Sequence, residues 1–329
     1  MKKELKLSLI SGLLMALAWP TYGLSFLTFF GITPLLYIVE LVNKGQYKRK
    51  GWSVFGYSYL AFFIWNIITT WWIYNSTGFG AAFAILCNSS FYAIILTIYR
   101  WSLTRLPQKT SYLFLISFWM AFEKFHLNWD FSWPWLNLGN VFSESIYWIQ
   151  WYEYTGAFGG TLWVLLVNII GLKYLRNYFD GQSIKTVLKN YIPQLLWIAI
   201  PIGISLGIYL RTTESEERSK VVVLQPNLDP YQEKYQYTNP QLLQLTKEIT
   251  GTRLVVDDAW TAREITVFGR VRHRVAHVVH AALVHKIHNQ FQFVQTLEVG
   301  HLRGVTRLDQ RFECGLNQRR NAATQHDLF

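Results

Sequence analysis

Over the first 211 positions, apolar and polar residues alternate in long blocks, without the period of a strand or of a single amphipathic helix. Seven apolar runs stand out: Leu7 to Trp19, Leu24 to Val42, Val54 to Ile73, Ala81 to Tyr99, Tyr112 to Phe122, Phe158 to Leu172 and Ile192 to Leu210. Blocks of this kind read as membrane helices, for which roughly 20 apolar residues suffice. The fifth and sixth are short and must borrow flanking aromatic residues. Pro20 ends the first run and Thr21-Tyr22-Gly23 forms a short turn, so the first two runs predict a hairpin. Lys2, Lys3 and Lys6 ahead of the first run also suit a secretory signal, with Ala16-Leu17-Ala18 at a cleavage-like spacing. The immediate return of the second run favours a first membrane span.

The loops between the runs carry the orientation. The N-terminus, Lys44 to Lys50, Arg100 to Lys109, and the segment with Lys173, Arg176, Lys185 and Lys189 are basic, whereas Asn128 to Thr155 holds Asp130, Glu144 and Glu153 and no Lys or Arg. The positive-inside rule therefore predicts a multi-pass membrane protein with a cytoplasmic N-terminus. Seven crossings would leave everything after about residue 211 periplasmic. There, Ser219 to Asn227 reads as a buried strand ended by a Pro-Asn turn. Asn239 and Pro240 suit a helix start, with Leu242, Leu245 and Ile249 on one face. One strand and one helix cannot bury both faces of a sheet. More chain of that kind ought to follow.

Composition agrees with the membrane reading. Half of the 329 residues are hydrophobic and 16% are charged, against roughly 25% in soluble proteins. Two cysteines, Cys87 and Cys314, make neither a disulfide framework nor a zinc pair. The net charge of +11 has two origins. Up to residue 250 there are fourteen Lys and six Arg; beyond it Lys286 stands against ten Arg, together with seven of the eight His, no Tyr and only Trp260. Such a shift without a Pro/Gly/Ser-rich linker points to a different coding history for residues 251–329, an unrelated or frameshifted tail, with an appended domain as the alternative. His273, His277, His280 and His288 fall on one broad helical face. They lack an acidic or Cys ligand in support, so no metal is expected. Arg270, Arg272, Arg274, Arg319 and Arg320 come without stacking aromatics or a motif, so no nucleic acid is expected either.

The chemistry-bearing stretch is Trp119 to Asn140, where an apolar helix runs into an aromatic loop with few charges. Trp133 and Trp135 have rings suited to the lipid headgroup level, as interface anchors or as walls of a lipid groove. Glu123 sits where a carboxylate must face protein or water. It reads as a hydrogen-bonding group at a helix end or as a substrate contact.

Six segments in order, Leu17-Ala18-Trp19-Pro20 to Leu36, Trp119 to Glu123, Phe131 to Gly139, Tyr154 to Gly159, Leu166-Val167-Asn168 and Val223 to Asn227, resemble the apolipoprotein N-acyltransferase family. The resemblance runs from residue 1 to about 250. It implies an inner-membrane enzyme with a periplasmic nitrilase-like domain. That enzyme moves an acyl chain from a phospholipid to the N-terminal cysteine of a diacylated lipoprotein through an enzyme thioester. The resemblance also implies a substrate-binding role for Trp133, Trp135 and Tyr235, no cofactor, and a monomer. The family's Trp-Pro-Glu-like turn has no counterpart, and Lys286 and Cys314 stand in unrelated surroundings, so no catalytic residue can be named.

The expected architecture is thus an α-helical polytopic membrane bundle of about seven helices, residues 1–211. The first strand and helix of a truncated α/β nitrilase-like domain would follow at 212–250, and then the tail. The expected function is that of the family without its Glu/Lys/Cys centre. The alternatives are a noncatalytic membrane protein, a pseudogene product, or a small-solute transporter.

Overall fold

The structure is a computed structural model, and it describes residues 2–20, 22–129, 131–211, 214–224, 256–257, 294–302 and 305–309. The chain divides into two compact units, Met1–Leu210 and Arg211–Phe329. Tyr235, Gln225, Asn227, Lys286, Cys314 and the His- and Arg-rich stretches of the tail lie outside the described residues.

The first unit is helical throughout. Its helices are α1 (Lys3–Ala18), α2 (Thr28–Gly31), α3 (Thr33–Lys44), α4 (Lys50–Thr70), α5 (Gly78–Ser102), α6 (Gln108–His126), α7 (Tyr152–Thr155), α8 (Ala157–Phe179), α9 (Ile184–Tyr191) and α10 (Leu196–Arg211). Their ends follow local chemistry. The Thr77 hydroxyl accepts from the Gly80 N–H to cap α5, Pro107 precedes α6, and Gly156, at φ +64°, makes the left-handed turn into α8.

Between α2 and α3 the chain breaks at Ile32 and is held from α8. The Asn168 side-chain oxygen accepts from the N–H groups of Ile32 (2.9 Å) and Thr33 (2.8 Å). Its amide donates to the Thr28 and Val164 carbonyls. Every hydrogen-bonding atom of a residue with no exposed surface is thereby used. Gly171 lets the two helices approach, since a Cβ there would lie 3.1 Å from the Thr33 hydroxyl.

The core is aromatic. Phe62 and Trp65 of α4, Tyr92 of α5 and Trp119 of α6 are all without exposure, with Tyr92 5.4 Å from Trp65 and 5.1 Å from Trp119 between ring centroids. Pairs at these distances add about 1 kcal/mol each beyond their burial. The cluster fixes the helix that carries Glu123.

The expectation of about seven membrane helices followed by a nitrilase-like strand and helix is corrected by this structure. Among the described residues four helical segments are long and apolar enough to cross a membrane: Ser25–Lys44, Gly78–Ser102, Ala157–Phe179 and Ile184–Arg211. Helix α1 has 16 residues, about 24 Å at 1.5 Å per residue and short of a core of roughly 30 Å. Helix α6 carries Lys109, Glu123 and Lys124, and α4 is diluted by Ser, Tyr, Asn and Thr. No β-strand occurs among the described residues up to 211, and no α/β unit stands among the described residues. The stretch read as its first strand is extended backbone, Glu214–Leu224, paired antiparallel with Val294–Leu302 of the tail. The helix expected after Asn239 lies outside the described residues. With four candidate spans, a count of crossings no longer assigns a side to residues after Arg211.

Candidate functional site

Polar groups gather at two ends of the bundle. At one, Lys3 donates to the Tyr37 hydroxyl (3.1 Å) and lies over the Phe179 ring, Lys50 donates to the Asn43 carbonyl, and Arg176 pairs with Glu40. This is the end of the basic loops. At the other, the aromatic loop is clamped onto Glu123.

Glu123 is wholly buried, one turn after Trp119 on α6. One carboxylate oxygen accepts from the Trp119 indole (3.1 Å) and from the Leu138 N–H (2.9 Å); the other accepts from the Thr161 hydroxyl (2.7 Å). Thr161 in turn accepts from the Gly139 N–H (3.1 Å), and Tyr152 donates to the Gly139 carbonyl (2.8 Å). Tyr92 donates to the Leu136 carbonyl, and Asn140 donates to that of Pro134. Each of residues 136, 138 and 139 is therefore tied by its backbone to a helix side chain. Gly139 is required by contact: a Cβ there would lie 1.9 Å from the Ala157 carbonyl oxygen.

So anchored, the loop presents a row of indoles. The Trp133 and Trp135 centroids are 4.8 Å apart, and Trp135 is 4.6 Å from Trp72, which the 3₁₀ turn Trp71–Asn75 carries at the end of α4. Phe131 packs on Phe83 of α5 and on Trp129. Both Trp133 and Trp135 are half-buried. Two ring nitrogens beside them are buried and without a partner, Trp133 Nε1 and His126 Nε2; His126 Nδ1 accepts from the Trp129 indole (2.8 Å). That bond leaves the proton of a neutral imidazole on Nε2.

Of the residues singled out by sequence, the structure brings Trp133, Trp135 and Glu123 into one assembly. Thr161, Tyr152 and Trp72 were missed. Trp119 stands four residues before Glu123, a spacing that puts both on one helix face. Thr161 is 38 positions away and gives no local signal.

The assembly offers an aromatic surface and fixed hydrogen-bond donors. Among the described residues the one free cysteine is Cys87, within the candidate span of α5. No group of three or more His, Cys, Asp or Glu among them could hold a metal ion. The fold and this site together define a multi-span helical membrane protein with an indole-rich loop fixed at one end of its bundle.

Comparison with known proteins narrows the class. Residues 11–170 match the apolipoprotein N-acyltransferase N-terminal domain. The apolipoprotein N-acyltransferase of Chlorobaculum tepidum is 25% identical over 266 residues, which is 77% of this chain and 48% of the relative. That of Geobacter metallireducens is 23% identical over 69% of this chain and 44% of the relative, and that of Thermotoga maritima 24% identical over 82% and 54%. Over its N-terminal membrane region the chain is related, distantly, to the apolipoprotein N-acyltransferase family. It spans about half the length of these relatives.

Proposed function

We propose that this chain is the lipid-handling part of an apolipoprotein N-acyltransferase system, seating a phospholipid acyl donor and a diacylated lipoprotein beside the Trp133–Trp135 loop without performing the transfer itself. The observation that carries the reading is the anchored loop. Loop, Glu123 and Thr161 all fall within the stretch related to the family's N-terminal domain. The substrates carry acyl chains in the bilayer and a reactive atom at its surface, and a row of half-buried indoles suits a wall between the two. The lipid end is then the external one. The basic end around Lys3, Lys50 and Arg176 faces the cytoplasm of the host bacterium, as the positive-inside rule requires. Tyr235 is proposed as a further substrate contact. The protein acts as a monomer, and residues 251–329 have a separate coding origin.

The test uses the full chain in phospholipid vesicles with a photoreactive phospholipid and a synthetic diacylated lipopeptide. Expected are a crosslink to the Trp129–Asn137 segment, depleted in Trp133→Ala and Trp135→Ala, and no acyl transfer. Transfer above the protein-free rate would overturn the division of labour. A crosslink spread evenly over all lipid-facing helices would overturn the site.

A further inference from the structure

The basic end holds a feature that acyl transfer does not use. Between the start of α6 and the last turns of α8 lies a cavity of about 330 Å³, with Gln108, Lys109, Tyr112 and Lys173 at its rim and Ile169 and Ile170 in its wall. A second, of about 200 Å³, adjoins it through Gln108 and Arg176 and reaches Glu40, Asn43 and Lys44.

Their charge is one-sided. Glu40 is the carboxylate in either lining, and it is taken: Arg176 binds both of its oxygens, and the Gln108 amide adds a third bond at 3.1 Å. Among the described residues Arg176–Glu40 is the one salt bridge, so Lys44, Lys109 and Lys173 have no counterion. Helix α6 also opens toward this place with no side-chain cap, leaving the free N–H groups and positive dipole end of its first turn.

The shape is that of an amphiphile's seat. Lys173 stands one turn beyond Ile169 and Ile170 on α8, so cationic and apolar lining follow each other along the axis of that helix. A soluble anion needs only the rim. We propose that this cavity binds the phosphate headgroup of an anionic phospholipid in the leaflet of the basic loops, separate from the indole-lined end. Basic pockets between membrane helices on this side are apt for such headgroups. The inference rests on charge and shape at this end and stands whether or not the chain takes part in acyl transfer.

The test is native mass spectrometry of the full chain, released from neutral detergent and titrated with dioleoyl phosphatidylglycerol, dioleoyl phosphatidylcholine or inorganic phosphate. Expected is one retained phosphatidylglycerol, held at least about tenfold more tightly than phosphatidylcholine. Lys109→Ala with Lys173→Ala should weaken it by about tenfold or more, as loss of two near-surface cations implies. Lys48→Ala with Lys124→Ala removes the same charge elsewhere and should leave binding unchanged. Lys109→Gln with Lys173→Gln repeats the test with longer side chains, and an unchanged melting temperature establishes that either pair folds. Equal retention of phosphatidylcholine, equal loss in both charge-matched pairs, or full competition by millimolar phosphate would each overturn the proposal.

Discussion

Glu40 and Glu123 are both buried carboxylates, 7% and 0% exposed, and the bundle accommodates them in opposite ways. Glu40 meets a guanidinium in a two-pronged pair. Glu123 meets no cation; an indole, a backbone N–H and a hydroxyl surround it. The two-pronged pair joins one helix side chain to another, whereas the three donors on Glu123 come from a helix indole, a loop backbone N–H and a hydroxyl of a second helix. The first arrangement ties α3 to α8. The second sets the conformation of a loop.

Substitutions can break that contrast, and thermal unfolding of the purified protein in detergent ranks them. Glu123→Leu strands three buried donors and should cost about 3 kcal/mol or more, since each unpaired group costs about 1–3. Glu40→Gln leaves the Arg176 cation without its carboxylate; because that side chain is 30% exposed, the loss should be about 2 kcal/mol, below that of a fully buried pair. Gly139→Ala forces the loop off Ala157 and should cost about 2 kcal/mol, with loss of the Trp135 fluorescence environment. Trp135→Ala removes two ring contacts on a half-buried site, together about 1–2 kcal/mol. Glu123→Gln should be mildest, under about 1 kcal/mol, because the amide oxygen still accepts from Leu138 and Trp119 while Thr161 can accept in place of donating. If Glu123→Gln proved as damaging as Glu40→Gln, charge would matter at both sites and the contrast would fail.

The helical blocks were legible because apolar runs of this length have few other uses in a chain. Where blocks qualify as spans was less so: α4 and α6 are helices, yet their Ser, Asn, Lys and Glu keep them outside the four apolar segments. The α/β expectation rested on the Ser219–Asn227 strand, the helix start at Asn239 and the resemblance, and it failed at the strand, whose partner no local pattern specifies. At the site, Trp133 and Trp135 were singled out by ring type in a loop with few charges and Glu123 by its place at an apolar helix end, whereas the four-residue spacing of Trp119 to Glu123 was present in the sequence and went unread. The Leu138 N–H, Thr161 and Trp72 were not legible, because backbone donors carry no sequence signature and contacts across 38 positions leave none. Glu40 and Arg176 are 136 positions apart, and Arg176 read only as one more basic loop residue.

The Asn168 bracket has a consequence for how the protein is made. The segment Ser25–Lys44 emerges early in synthesis with its hydrogen bonding interrupted at Ile32 and Thr33, and Pro34 has no N–H to offer. Asn168 leaves the ribosome 135 residues after Thr33. Until then the Ile32 and Thr33 N–H groups lack the Asn168 acceptor, and an amide left unsatisfied in hydrocarbon costs several kcal/mol. The bracket at Ile32 is therefore completed only once α8 has been made, and the early segment spends that interval without its Asn168 partner. An Asn168→Leu chain is expected to lose membrane-insertion efficiency as well as stability of the finished bundle.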